Sequence, residues 1–134
     1  MLSMFIVACK RKPLEFEKLD QFSKIDSMAD HSKPIYFKTD VYIVKNYTDE
    51  SKNERTVDSF AYHNRAKDLN NFSDYNIIMY KHSEATDIAN LLKNPKDYET
   101  ESFLNDMVYV YRWVKGQWVS KTKYKGRETV DSQE

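Results

Sequence analysis

Apolar residues recur along this chain in two rhythms. Between Leu14 and Ala29 they fall every third position, at Phe16, Leu19, Phe22, Ile25 and Met28, with polar and charged residues between them. That spacing predicts an amphipathic helix with one broad apolar face. The run Asp30-His31-Ser32-Lys33-Pro34 should break it. From Ile35 to Lys45 the rhythm becomes alternation. Ile35, Phe37, Val41 and Ile43 share one face; Tyr36, Lys38, Asp40 and Tyr42 share the other. This predicts a half-buried strand. Residues 46–55 read as a polar loop. Thr56 or Asp58 caps a second expected helix reaching Leu69, whose apolar content is thin: Val57, Phe60, Ala61, Ala66 and Leu69. A strand over 57–63 is the alternative there. Tyr75–Lys81 reads as a short buried strand. Thr86–Lys93 reads as a short helix with Ile88, Leu91 and Leu92 inward and Asn94-Pro95 as its stop.

The strongest pattern lies near the C-terminus. Residues 106–125 read as a β-hairpin turning at Lys115-Gly116, where glycine supplies the positive φ of a two-residue turn. That register sets Trp113 opposite Trp118, Tyr111 opposite Ser120 and Tyr109 opposite Thr122. One face then carries Met107, Tyr109, Tyr111, Trp113, Trp118 and Tyr124. The other carries Val108, Val110, Val114 and Val119, interrupted by Arg112, Lys121 and Lys123. The fold class expected from this order is α+β: an antiparallel or mixed sheet of about four strands, helices packed on one face, and a C-terminal hairpin. Residues 14–126 form the expected single domain, and 127–134 a frayed tail.

Composition narrows the function classes. Lys and Arg total 21, as do Asp and Glu, so the 134-residue chain has zero net charge. A nucleic-acid-binding domain normally carries a strongly basic footprint, so no nucleic-acid partner is expected. Ten Tyr, seven Phe and two Trp point to a folded core rather than disorder. No stretch approaches the ~20 apolar residues of a membrane-spanning helix.

The opening residues, 1–13, hold the most specific motif. An apolar run ends at the single cysteine, followed by Lys10-Arg11-Lys12-Pro13. One reading is a buried first strand over Met4–Ala8. The other is the end of a secretory signal. Ile6-Val7-Ala8-Cys9 resembles the lipobox of bacterial lipoproteins, with an aliphatic residue three before the cysteine and a small one directly before it. The apolar run is short, and Met1-Leu2-Ser3 lacks the usual cationic side chain. The resemblance implies that 1–8 is a signal-peptide remnant, that cleavage falls before Cys9, that its sulfur carries diacylglycerol, and that 9–13 is a tether. Pro13 suits a tether because it cannot donate to a sheet ladder. It further implies a membrane partner through the lipid, at the periplasmic face of the outer membrane, since the position directly after Cys9 is not acidic and the acidic cluster of some surface-exported lipoproteins is missing.

Candidate chemistry is sparse. His31, His63 and His82 are isolated, without metal-ligand spacing. Glu15/Glu17, Asp49/Glu50 and Glu99/Glu101 read as solvated charge. Two glycines cannot build a phosphate-cradling loop. No catalytic residue, metal ligand or cofactor is assigned. Lys121, Lys123, Lys125 and Arg127 form an alternating basic strip, read first as the guard of an exposed sheet edge and second as a contact for anionic groups. Trp113, Trp118, Tyr111 and Tyr109 are the candidate partner-binding surface, set against their use as core; Trp113 and Trp118, near the turn, are the pair expected to stay accessible. The resulting expectation is a small lipid-anchored extracytoplasmic protein with a non-enzymatic binding role. An immunity protein against a periplasm-acting toxin is the first alternative. A small periplasmic hydrolase or polysaccharide-uptake accessory is the second.

Overall fold

The computed structural model describes residues 12–20, 22–29, 34–93, 101–126 and 128–133. Its spine is a long strand over Pro34–Lys45. Two shorter strands, β1 (Glu15–Lys18) and β2 (Lys24–Ala29), lie end to end along one side of this β3. On its other side β4 (Asp74–Lys81) runs parallel to it, reached through helix α1 (Ser51–Asn64) and a 3₁₀ turn at Leu69–Asn71. A parallel neighbour needs such a crossover because the chain must return to the strand's starting end. Helices α2 (Ile88–Lys93) and α3 (Glu101–Leu104) precede β5 (Met107–Val114), which with β6 (Gln117–Lys125) and β7 (Glu128–Gln133) completes an antiparallel run. The sheet among the described residues has seven strands in the order β1-β3-β4-β5-β6-β7, with β2 beside β3.

The α+β class stands, but the sheet is larger than the expected four strands and the layers differ. Val57 and Ala61 of α1 pack with Tyr42, Val44, Tyr75, Ile77, Tyr109 and Tyr111. Leu91 of α2 and Phe103 of α3 pack with Val41 and Ile43. Alternate residues of β3 thus face different helices, so the helices occupy both faces rather than one. Consequently Asp40 through Val44 are all buried. The alternation predicted for β3 is real, but the strand is central rather than half-exposed.

The helix expected over Leu14–Ala29 is instead β1 and β2. A five-residue interruption, 19–23, between the half-strands explains the three-residue spacing. Phe16 joins the α1 side, Leu19 and Phe22 join the α2/α3 side, and Ile25 is 58% exposed. The Leu19 amide donates to the Val41 carbonyl (2.8 Å), and Ser23 Oγ accepts from the Val41 amide (2.9 Å) while donating to the Leu19 carbonyl (2.9 Å). The serine side chain thereby replaces the ladder bonds that the interruption removes.

Helix α1 starts earlier than expected, inside the polar segment, and ends at Asn64 rather than Leu69. Its N-cap is Glu50, which makes no side-chain cap bond. A clamp just upstream does related work: Asn53 Nδ2 donates to the Thr48 carbonyl (3.0 Å) and to its Oγ1 (2.6 Å). The tail expected to fray forms β7, so β6 is an inner strand. Arg127 lies outside the described residues, as do Cys9 and His31.

The hairpin turns at Lys115-Gly116 as predicted, with φ of 49° and 78°. Positive φ at both positions gives the twist that adjacent strands need. A Cβ on Gly116 would also run into the Asn70 side chain. Trp113 does pair with Trp118, but a bulge between Arg112 and Trp113 shifts the rest by one. Arg112 faces Ser120, Tyr111 faces Lys121 and Tyr109 faces Lys123. Val119 is the extra residue, and it turns both lysines from the valine face to the aromatic one.

Candidate functional site

The bulge brings Lys121 and Lys123 beneath α1. One turn apart on that helix, Glu54 and Asp58 point down at them. Lys121 Nζ reaches Glu54 Oε1 at 2.7 Å and Asp58 Oδ2 at 3.0 Å, and lies 5.2 Å from the Tyr109 ring centre. Lys123 Nζ reaches Asp49 Oδ1 at 2.7 Å and Glu54 Oε2 at 3.4 Å. The expected edge-guarding strip is therefore, at these two positions, a helix-to-sheet ionic contact. Lys121 is only 7% exposed. Burial draws its ammonium pKa down, but the Asp58 and Glu54 hydrogen bonds outweigh this and raise it. The Lys121 hydrogen bond holds the Glu54 carboxyl below the usual range.

The aromatic face is mostly core. Tyr109, Tyr111 and Trp113 are buried, which removes three of the four proposed surface residues from direct contact as free rings. Tyr111 donates to Asp58 Oδ1 (2.6 Å), and Tyr109 shares a hydrogen bond with Tyr47 (2.7 Å). Burial, reinforced by these bonds, pushes both phenol pKa values far up. Tyr75 behaves alike: it donates to the buried Asp40 (2.6 Å) and accepts from the Ala66 amide (3.0 Å).

Trp118 is the exception, at 48% exposure. Its ring meets Trp113 edge-on, with centres 5.3 Å apart at 77°. Across from it on α1 stands Tyr62, 59% exposed. Between them opens a cleft of about 310 Å³, lined also by Tyr111, Trp113, Asp58, Lys121 and Gln133. Its walls are exposed aromatic rings. Its floor is a polar set already held by mutual hydrogen bonds. Such a cleft can take an apolar or planar side chain and offer it fixed polar neighbours. Arg65 extends the rim: its guanidinium lies 4.0 Å from the Tyr62 ring centre and Nη1 donates to the Tyr62 carbonyl (2.6 Å).

Trp118 is therefore legible in the sequence, whereas Tyr62 and Arg65 carry no signal there and Asp58 reads only as a helix cap, although it lies within α1. A helical wheel started at Ser51 would have put Arg55, Ser59 and Tyr62 on one outward face. The two described histidines, His63 and His82, serve locally. His63 Nδ1 lies 2.7 Å from the Ser59 carbonyl, and His82 Nε2 lies 3.0 Å from Asp87 Oδ1. That bond holds the Asp87 carboxyl below its usual range. Among the described residues, no group of three or more His, Cys, Asp or Glu is placed to hold a metal ion. The chain matches no protein-family model, and no curated protein or solved structure is significantly similar to it, so the cleft's own geometry carries the functional reading.

Proposed function

We propose that this chain is a small lipid-anchored envelope protein that binds a protein partner through the face formed by α1 and the β5–β6 hairpin. The carrying observation is the pairing of exposed Trp118 and Tyr62 over a cleft whose floor is locked by hydrogen bonds. Trp, Tyr and Arg dominate binding hot spots because large, rigid side chains bury much area at little entropic cost. Ordering the floor in advance removes part of the cost of association. The anchor half of the proposal rests on Ile6-Val7-Ala8-Cys9. Lys12 and Pro13 are exposed ahead of β1, as a tether requires.

Two measurements test it. With a sufficient signal sequence upstream, the native chain should partition with membranes and Cys9→Ser should not; equal partitioning refutes the anchor. A photoreactive side chain replacing exposed Gln117 should yield a discrete protein adduct in cells, and one replacing exposed Ile25 should not. Trp118→Ala should abolish the first adduct while the protein still unfolds cooperatively, its midpoint lowered by no more than a few degrees, since a half-exposed ring in a cross-strand aromatic pair contributes roughly 0.2–1 kcal/mol. An adduct that survives Trp118→Ala refutes the surface.

A further inference from the structure

The charges on α1 are sorted by side. Its two carboxylates, Glu54 and Asp58, both face the β6 lysines. Its exposed cations, Lys52 and Arg55, make no ion pair within 4.0 Å among the described residues. Beyond the helix, Arg65 is occupied by the Tyr62 ring and carbonyl rather than by a carboxylate, and Lys67 is exposed. Asp68, the next carboxylate along, turns towards Lys38, at 3.7 Å.

Two further depressions flank this face. One of about 530 Å³ lies between β1 and α1, over the stacked rings of Phe16 and Phe60, with Lys52 and Arg55 on its wall. The other, of about 390 Å³, lies past the helix end, with Arg65 and Lys67 on its wall. His63 belongs to both, and neither is lined by any Asp or Glu. The second shares Tyr62 with the cleft beside Trp118. The chain as a whole is neutral, so this positive face arises from segregation and not from composition.

We infer that this face docks an acidic segment of a protein partner, with carboxylates set against Arg55, Arg65 and the flanking lysines and an apolar side chain seated between Tyr62 and Trp118. The inference rests on the binding reading above and adds the partner's chemistry. Arginine's planar fork matches a carboxylate in two parallel hydrogen bonds, and Arg65 is already held in place by Tyr62. An anionic bilayer offers the same charge. The three depressions favour a protein, because a lipid surface does not project side chains into concavities whereas a folded or extended segment does.

The test uses the full-length chain carrying Cys9→Ser, so that no lipid intervenes. Three probes are titrated by amide and indole NMR: a glutamate-rich peptide with a central leucine pair, its glutamine counterpart, and vesicles of phosphatidylcholine with phosphatidylglycerol. The glutamate peptide should shift the Tyr62, Arg65 and Trp118 signals. The glutamine peptide should bind at least ~10-fold more weakly, as should the double variant Arg55→Glu/Arg65→Glu against the glutamate peptide, given the cost of opposing like charges. An unchanged thermal midpoint in the double variant excludes unfolding as the cause. Equal binding of the two peptides, no binding of the glutamate peptide, or stronger binding to vesicles overturns the inference. If the Gln117 adduct forms and the glutamate peptide fails, the binding face stands and its acidic partner falls. If the adduct also fails, both fall.

Discussion

Lys121 shows how one side chain joins a helix to a sheet. It is the only buried cation among the described residues, and it touches two carboxylates and lies over an aromatic ring. Removing it leaves Glu54 and Asp58 without their shared counter-ion. Breaking a fully buried pair costs ~3–5 kcal/mol. Solvent reaches Asp58, whose side chain is 40% exposed, so Lys121→Ala should cost less, about 2 kcal/mol. Lys123→Ala should cost well under 1 kcal/mol, because its partner Asp49 is largely exposed. Urea denaturation of the two variants checks the order. If Lys123→Ala proves the more damaging, the assignment of Lys121 as the helix-to-sheet link is wrong.

At the scale of the element, the broken edge β1/β2 is informative. A continuous strand would be a ready template for pairing with another chain, and a local interruption blunts it. The interruption depends on Ser23, whose hydroxyl serves both Leu19 and Val41. Ser23→Ala leaves the Val41 amide of a fully buried residue without its acceptor. That should destabilise the protein by ~1–3 kcal/mol. Hydrogen exchange gives the sharper measurement: the Val41 amide should lose protection far beyond its neighbours Tyr42 and Ile43. Unchanged protection at Val41 would show that the backbone closes the gap by itself.

Across the whole molecule, the side of the sheet under α1 is an aromatic layer. Tyr75, Tyr109 and Tyr111 are buried there with hydroxyls hydrogen-bonded, and all three phenols titrate well above their ordinary value. The sign of the linkage follows. An unfolded phenol ionises near pH 10, while the folded one keeps its proton. Stability is therefore fully present below about pH 10 and is lost as pH rises above it, by about 1.4 kcal/mol per pH unit for each phenol. The raised Lys121 and Lys123 ammonium groups act in the same direction. The protein should unfold cooperatively in alkali, with phenolate absorbance appearing together with loss of structure. Tyr111→Phe should flatten the dependence by one proton. Phenolate formation well before unfolding would contradict the burial of these hydroxyls.

The local rhythms of the sequence were enough to place β3, β4, α2 and the β5–β6 hairpin with its Lys115-Gly116 turn, because a strand's alternation and a glycine's φ are properties of short segments. The pairing of Trp113 with Trp118 followed from the turn alone. Trp118 was legible as an accessible ring because it lies two residues past Gly116. Tertiary structure decided the rest. A period of three across Phe16–Met28 is compatible with a helix or with a strand broken once, and only the bonds from Leu19 and Ser23 to Val41 choose between them. The β5–β6 bulge inserts one residue, and one residue reverses every later side chain. It carried Lys121 and Lys123 inside, where they claimed the carboxylates of α1, and so left the outward face of that helix positive.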